Sequence, residues 1–187
     1  MSTNAKEVIL TEAKRIAQAH GYNGMGFREL AERVGIKPAS IYHHFASKAE
    51  LGAAVAKRYW EDAAANLTSI EDAEKDAEAA LRRYPEVFRR SLESENRLCL
   101  GSFMGAEHDD LPDQVKAEVL AFANVNIAWI ARMLVSARLS QTDAEADARA
   151  RAIFASVAGA QLMARSRADI SVFDTLIDTY RAAGLMP

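Results

Sequence analysis

The sequence predicts an all-α fold of about nine helices. Helix-breaking residues are few, since the 187 residues include nine glycines and four prolines. Four of those glycines lie between positions 21 and 35, which leaves long uninterrupted stretches elsewhere. Apolar residues recur at helical spacing, and no segment alternates as a strand requires. A chain of this length can bury its own core, and its one cysteine excludes an intrachain disulfide.

Three helices are predicted in the first quarter of the chain. They span about Asn4 to His20, Phe27 to Val34, and Pro38 to Phe45. Gly21 ends the first helix and Gly35 ends the second, because glycine leaves the helix easily. Gly26 takes the N-cap of the second, where it caps less well than serine or threonine. Pro38 is tolerated in the first turn of the third helix.

The fourth helix begins at Ser47, where Ser47-Lys48-Ala49-Glu50 forms a capping box, and runs to about Leu67. A second capping box begins at Thr142. The remaining helices are predicted over Glu71 to Leu92, Asn96 to Met104, Pro112 to Leu139, Thr142 to Arg165, and Ser171 to Ala183. Pro85 is expected to kink the first of these near Tyr84.

Charge is distributed unevenly along the chain. Residues 1–58 carry nine basic and five acidic side chains, a net +4, whereas the remainder carries 14 basic and 21 acidic side chains, a net −7. This division favours an anionic partner for the first third, although ordinary surface variation would also produce it. No signal-peptide core and no uncharged apolar stretch of membrane-spanning length is evident, so we expect a cytoplasmic protein with no membrane partner.

Residues 27–45 have the pattern of a helix-turn-helix unit. Gly35-Ile36-Lys37 forms the tight turn, and apolar residues occupy the positions that such a unit buries: Leu30, Ala31, Val34, Ile36, Ile41 and Phe45. The second helix of the unit would enter the DNA major groove. Candidate DNA-contacting residues are Lys37, Ser40, Tyr42, His43, His44 and Lys48. A helical hairpin that packs against another protein would show the same pattern.

The segment from Asn4 to Leu51 resembles the DNA-binding region of the TetR family of bacterial transcriptional repressors. The matching strings are FRELAERVGI from Phe27, ASIYHHF from Ala39 and SKAEL from Ser47. Chain length and helix number also fit this family. Gly26 departs from it, because the family usually has a serine or threonine there that caps the helix and often contacts a phosphate.

The resemblance implies a regulator, expected to be a repressor, that binds a palindromic operator as a homodimer. It implies a DNA-binding domain over residues 1–47 and a helical ligand-binding and dimerisation domain over 48–187. In such proteins a small-molecule inducer binds the second domain, and the fourth helix transmits the motion that releases DNA. The last two helices would form the dimer surface, helped by the small residues Ala155, Ala158, Gly159 and Ala160, which could instead be buried within the chain.

The residues expected to bind the inducer are Cys99, Phe103, Phe122, Asn126, Trp129, Ile130, Met133 and Phe154. Several share one face of the long helix, where Asn126 could orient a polar ligand, but such a stripe is more often plain core. The segment from Arg97 to Glu107 resembles a branch of the family that senses reactive or unsaturated compounds. Cys99 is therefore either a buried, inert side chain or a thiolate that senses redox changes or electrophiles.

The remaining function classes have little support in the sequence. It contains no phosphate-binding glycine loop, nucleophile elbow or His-Glu-x-x-His motif, so we expect neither an enzyme nor a cofactor. The acidic segment from Glu107 to Asp110 is interpreted as a solvated loop rather than a metal site. An activator remains an alternative to a repressor, and a protein-interaction module without operator binding remains an alternative to both.

Overall fold

The computed structural model describes residues 2–187, with side chains from residue 5 onward. This part of the chain is helical and contains no strand, which confirms the predicted all-α fold. The helices are α1 (Ser2–His20), α2 (Phe27–Val34), α3 (Pro38–His44), α4 (Lys48–Ala73), α5 (Ala77–Arg83), α6 (Glu86–Glu93), α7 (Leu100–Ala106), α8 (Asp113–Ser136), α9 (Asp143–Arg167) and α10 (Ile170–Ala182), with a 3-10 turn at His108–Asp110.

Both predicted capping boxes are present. The Ser47 hydroxyl accepts the Glu50 N–H at 3.1 Å, and the Glu50 carboxylate accepts the Ala46 N–H at 2.8 Å. At the start of α9, the Thr142 hydroxyl accepts the Glu145 N–H at 3.2 Å. These local contacts satisfy amides that would otherwise have no helical partner, and they fix where α4 and α9 begin.

The predicted helix from Glu71 to Leu92 is divided in the structure. Helix α4 continues past Leu67 to Ala73, and α5 begins after Asp76, whose carboxylate accepts the Ala79 N–H at 2.8 Å. The strong cap at Asp76 separates what the apolar spacing suggested was one helix.

Pro85 produces the expected disturbance. Helix α5 ends at Arg83 and α6 begins at Glu86, although Tyr84 and Pro85 keep right-handed helical dihedral angles. Because proline has no N–H, the helical hydrogen bonds are interrupted here. They resume with the Val87 N–H, which donates to the Tyr84 carbonyl, and the Phe88 N–H, which donates to the Pro85 carbonyl, each at 3.1 Å.

Two further helix starts differ from the prediction. Helix α7 begins at Leu100 rather than Asn96, because Asn96 has a left-handed φ of 54°. Helix α10 begins at Ile170, where the Asp169 carboxylate accepts the Ser171 N–H at 2.9 Å. The backbone conformation of Asn96 delays the start of α7, whereas the Asp169 cap sets the start of α10 one residue before the predicted Ser171.

The chain forms two compact units. The first unit comprises Met1–Glu61 with Cys99–Phe122, and the second comprises Asp62–Leu98 with Ala123–Pro187. The core of the first unit contains Ile9, Ala13, Ile16, Met25, Leu30, Ile41, Phe45, Leu51, Leu100, Met104, Leu111 and Val115. Buried residues of the second include Leu67, Leu81, Tyr84, Phe88, Ile130, Leu134, Ile153, Val157, Phe173 and Ile177. The predicted boundary at residue 47 falls between α3 and α4 and stays a prediction.

Within residues 2–187, α8 alone is long and apolar enough to cross a membrane by length and composition. The core helix of a soluble protein meets the same criteria. On α8, Ile130 and Met133 are buried within the protein. Arg132 donates two hydrogen bonds to the Glu71 carboxylate, at 2.6 and 2.8 Å. Part of α8 is therefore buried in the protein, and Arg132 connects this helix to Glu71.

Candidate nucleic-acid interface

The turn between α2 and α3 depends on Gly35. This residue has φ 75° and ψ 32°, the left-handed conformation that side chains disfavour. Its N–H donates to the Glu32 carbonyl at 3.2 Å, and the Ile36 N–H donates to the Ala31 carbonyl at 3.0 Å. These two bonds close the end of α2 and start the chain toward α3. The predicted helix-turn-helix geometry is therefore present.

Helix α3 has one buried face and one exposed face. Ile41 is fully buried and Phe45, which ends the helix, is 1% exposed. On the opposite face Lys37, Ser40 and His43 are exposed. Core packing thus leaves the N-terminal polar side chains of α3 directed to solvent, where a nucleic acid could reach them.

The aromatic residues of α3 differ in their availability. Tyr42 is 59% exposed, and its ring packs edge-on against Phe27 with centroids 4.7 Å apart. This contact orients the Tyr42 side chain while leaving much of it accessible. His44 is half-buried, and its ring lies 5.4 Å from that of His43. His44 is therefore the less accessible of the two histidines.

Lys48 is also engaged within the protein. Its ammonium donates to the Asn23 carbonyl at 3.0 Å and lies 4.7 Å from the centroid of the Tyr22 ring. Both partners belong to the turn between α1 and α2, so Lys48 helps to hold that turn. Its role as a phosphate contact stays a prediction.

Sequence reasoning missed Arg28, the second residue of α2. Its side chain is 91% exposed and forms an ion pair with Glu32 at 3.6 Å. Gly26 provides no side-chain hydrogen bond to the start of α2, so the first amides of this helix lack a side-chain cap. Uncapped helix amides beside an exposed guanidinium attract anions. The weak cap at Gly26 was the sequence signal that could have revealed this pairing.

The candidate ligand residues divide between the two units. Cys99, Phe103 and Phe122 lie in the first unit; Asn126, Trp129, Ile130, Met133 and Phe154 lie in the second. Their burial ranges from complete at Asn126 and Ile130 to partial at Phe103 and Phe154. All of these side chains except Phe103 and Phe154 are buried.

In the second unit, Tyr84 contacts the candidate residues Asn126 and Trp129, which the sequence did not reveal. Its hydroxyl donates to the Asn126 amide oxygen at 3.0 Å, and its ring stacks against Trp129 with centroids 5.9 Å apart. Phe88 contacts both Tyr84 and Phe154 through ring edges. These residues come from helices that are distant in sequence, so helical spacing alone could not connect them.

In the first unit, Phe122 packs against Gly101 and Tyr59. A β-carbon at Gly101 would lie 2.2 Å from the Phe122 Cδ1 atom, so only glycine fits there without a shift of the ring. The Phe122 and Tyr59 ring centroids are 5.3 Å apart. Phe122 therefore has a packing role that requires no ligand.

Cys99 lies at the N-cap of α7 and is 2% exposed. Its thiol donates to the Ser102 hydroxyl at 2.9 Å, and its sulfur accepts the Ser102 N–H at 3.3 Å. Burial raises the pKa of the Cys99 thiol to about 11, since the charged thiolate is poorly solvated there. An electrophile sensor requires the opposite change in pKa, so the geometry favours the inert interpretation of Cys99.

Alkylation should test whether the Cys99 thiol is buried and unreactive in the folded protein. We expect Cys99 in the folded protein to react with iodoacetamide at pH 8 at least about 100-fold more slowly than in urea, because thiolate is scarce and buried. The rate should rise with pH toward 11, as the thiol ionises. Mass spectrometry of timed samples would measure both rates. Equal rates for the folded and unfolded protein would contradict the buried-thiol description.

Comparison with known protein families identifies the N-terminal part of the chain. Residues 9–55 match the model of the bacterial regulatory proteins of the tetR family. The transcriptional repressor AcnR of Corynebacterium glutamicum is 42% identical over 62 residues, which are 33% of this chain and 31% of AcnR. The transcriptional activator FasR of Mycolicibacterium smegmatis is 28% identical over 89 residues, 48% of this chain and 41% of FasR. The matches thus span less than half of these curated relatives.

Solved structures extend the similarity to the whole chain. A TetR transcriptional regulator from Legionella pneumophila superimposes with a TM-score of 0.89 at 27% identity, covering 95% of this chain and 96% of the regulator. A TetR-family regulator from Agrobacterium tumefaciens gives a TM-score of 0.87 at 27% identity over 95% of each chain. The helix-turn-helix match and the shared fold show that the chain is similar to TetR-family transcriptional regulators.

Proposed function

We propose that this regulator is a cytoplasmic repressor that binds a palindromic DNA operator as a homodimer and releases it when a small molecule binds. The observation that carries the proposal is the geometry of α3. Its apolar face is fixed in the first unit's core by Ile41, while Lys37, Ser40 and Tyr42 are exposed. A rigidly held helix with exposed polar residues at its N-terminal end suits major-groove recognition.

The proposed contacts follow from exposure and charge. Lys37 and Ser40 would reach base edges or phosphates, and Tyr42 and His43 would hold the DNA backbone. Lys48 would add to the positive potential near a phosphate while keeping its bond to the α1–α2 turn. His44 contributes least, since it is half-buried. Arg28 and the first amides of α2 supply a further phosphate site in place of the missing Ser or Thr cap.

The outward face of α9 supports the proposed dimer. Residues spaced by three or four positions are exposed along it: Ala148, Ala152, Ala155, Gly159 and Leu162. A β-carbon at Gly159 would contact nothing within 4 Å, so the surface there is open. Small side chains let a second helix approach closely, as an isologous interface requires. Ala160 is fully buried within its own chain and is no part of this surface.

The second unit suggests the chemistry of the ligand. Asn126 is fully buried, and its amide oxygen already accepts the Tyr84 hydroxyl. A ligand that displaced Tyr84 would have to donate a hydrogen bond to Asn126 and replace aromatic contacts with Trp129. We therefore propose an apolar or aromatic ligand with one hydrogen-bond donor. Ile130, Met133 and Phe154, which belong to the same unit, would serve as apolar lining.

Two alternatives predict different results. A covalent sensor would lose operator release in the Cys99→Ser variant, whereas the proposal expects release to be retained. A protein-interaction module would bind duplex DNA without dependence on salt, because no phosphate-bound counterions would be released.

The function is tested by selection of DNA fragments. The purified protein is incubated with fragmented genomic DNA of its host, and the bound fragments are recovered and sequenced. We expect a palindrome with half-sites about one helical turn apart. Genes beside it would indicate which compounds to test for release of the complex. No enrichment at low salt, after removal of any co-purified ligand, would overturn the proposal.

Lys37 should contribute one phosphate-dependent contact per subunit. Lys37→Ala is expected to weaken operator binding and reduce the salt dependence by about one counterion per subunit. Titrations at several salt concentrations measure the slope. Lys75→Ala is the matched control, because the Lys75 side chain is 84% exposed and belongs to the second unit. Equal slopes for Lys37→Ala and the wild type would remove Lys37 from the interface.

A further inference from the structure

Glu107 connects the end of α7 to the turn between α1 and α2. Its Oε2 atom accepts the Tyr22 backbone N–H at 2.7 Å, a contact within the first unit that joins residues 85 positions apart. Sequence reasoning had placed Glu107 in a solvated acidic loop. The structure corrects this: His108, Asp109 and Asp110 are exposed, but Glu107 is half-buried and bonded to the backbone.

The α1–α2 turn is shaped to admit this carboxylate. Gly21 has a left-handed φ of 70°, and a β-carbon there would lie 2.2 Å from the Glu107 Oε1 atom. Any other side chain would therefore be strained and would also collide with Glu107. Gly21 thus serves both as the helix stop predicted from the sequence and as the space that the carboxylate fills.

Helix α4 holds the same turn through other contacts. The Tyr22 ring is 6% exposed and lies against Gly52, where an added β-carbon would be 2.7 Å from the ring. Lys48 contacts the face of this ring and bonds the Asn23 carbonyl. The turn that leads into the helix-turn-helix unit is therefore fixed by α4 and by the residue that follows α7.

The segment Cys99–Glu107 consequently has a structural explanation that involves no sensing chemistry. Cys99 and Ser102 cap the start of α7, Gly101 gives room to Phe122, and Glu107 ties the end of the helix to Tyr22. Every residue in this set acts to position α7 within the first unit.

We propose that Glu107 is a positioning residue for DNA binding, which holds the α1–α2 turn in the arrangement that α2 and α3 need at the operator. This inference rests on the proposed function. A charge-assisted hydrogen bond to a backbone amide is stronger than a neutral one. Without it the turn would have to be ordered when DNA binds, and that ordering would reduce affinity.

Glu118 offers a matched control. Its carboxylate accepts the Trp60 indole N–H at 2.7 Å, also within the first unit, but this contact joins α4 and α8 and does not involve the α1–α2 turn. We expect Glu107→Ala and Glu118→Ala to lower the melting temperature by similar amounts. Only Glu107→Ala should weaken binding to the duplex enriched by the wild type, by about tenfold.

Amide hydrogen exchange gives a second measurement that is specific to the contact. The Tyr22 amide should exchange at least about tenfold faster in Glu107→Ala than in the wild type. In Glu118→Ala its exchange rate should be the same as in the wild type. Glu107→Gln, which keeps a neutral acceptor, covers the case in which the alanine variant does not fold. It should show about a threefold effect on both measurements.

The outcomes separate the inference from the function on which it rests. If the wild type binds its operator and both Glu107 variants bind it with undiminished affinity, the inference alone is overturned. Equal loss of affinity in Glu107→Ala and Glu118→Ala would do the same, because it would indicate general destabilisation. Failure of the wild type to enrich any duplex would overturn both proposals.

Discussion

Replacing Ala155 by aspartate should convert the proposed homodimer into a monomer and weaken the proposed operator binding at least about 100-fold. Ala155 lies in the middle of the exposed face of α9 that we propose as the dimer surface. In an isologous interface the same patch of each subunit faces its mate, so two buried carboxylates would be introduced together. A monomer would read only one half-site, and the gain from simultaneous binding of two recognition helices would be lost.

Ala128→Asp is the control for this variant. Ala128 is an exposed alanine within α8, so the same substitution there introduces an aspartate into a helix outside α9 and α10. Sedimentation equilibrium would give the mass of each variant, and titration with the enriched duplex would give its affinity. A dimeric Ala155→Asp protein that binds DNA like the wild type would show that this face of α9 is not the interface.

Phe45→Ala should destabilise the helix-turn-helix unit by about 3–5 kcal/mol, the usual cost of deleting a buried aromatic ring. Phe45 is 1% exposed and belongs to the core of the first unit, where the Lys6 ammonium lies 5.4 Å from its ring centroid. Deletion of the ring leaves a cavity behind the recognition helix. Urea denaturation would measure the loss in the free energy of unfolding.

Tyr42→Ala separates stability from recognition in the same helix. Because Tyr42 is 59% exposed, its removal should change the free energy of unfolding by no more than about 1 kcal/mol. We expect it to weaken DNA binding about tenfold through the loss of a backbone contact. If Phe45→Ala were as stable as Tyr42→Ala, the packing described for α3 would be wrong.

Local signals explain which elements were predictable. Ser47 and Thr142 were correctly placed at helix starts, because a capping box involves residues within a few positions of each other. The start of α7 could not be predicted in this way. The Asn96 amide donates to the Arg165 carbonyl at 3.1 Å, and Arg165 donates to the Asn96 carbonyl at 2.6 Å. Partners 69 positions apart hold Asn96 outside the helix.

The candidate site shows the same division. The exposed positions of α3 follow from its apolar periodicity, so Lys37 and Ser40 could be placed from the sequence. The engagement of Lys48 by Asn23 and that of Asn126 by Tyr84 could not, because each requires knowledge of which distant segments pack together. Glu107 was misplaced for this reason: its acidic neighbours suggested exposure to solvent, whereas its partner Tyr22 lies 85 positions earlier in the chain.

The first unit is formed by two separate stretches of the chain, which limits how this protein can be divided or recombined. Leu100, Met104, Leu111 and Val115 belong to the same core as the helix-turn-helix, although they follow it by more than fifty positions. A fragment that ends after α4 would expose that core and lose the hydrogen bond between Glu107 and the Tyr22 N–H. A chimera that joins this helix-turn-helix unit to a different second domain must therefore include residues 99–122 as well. The first unit is compact in space but discontinuous in sequence, so any fragment or chimera has to contain both of its stretches.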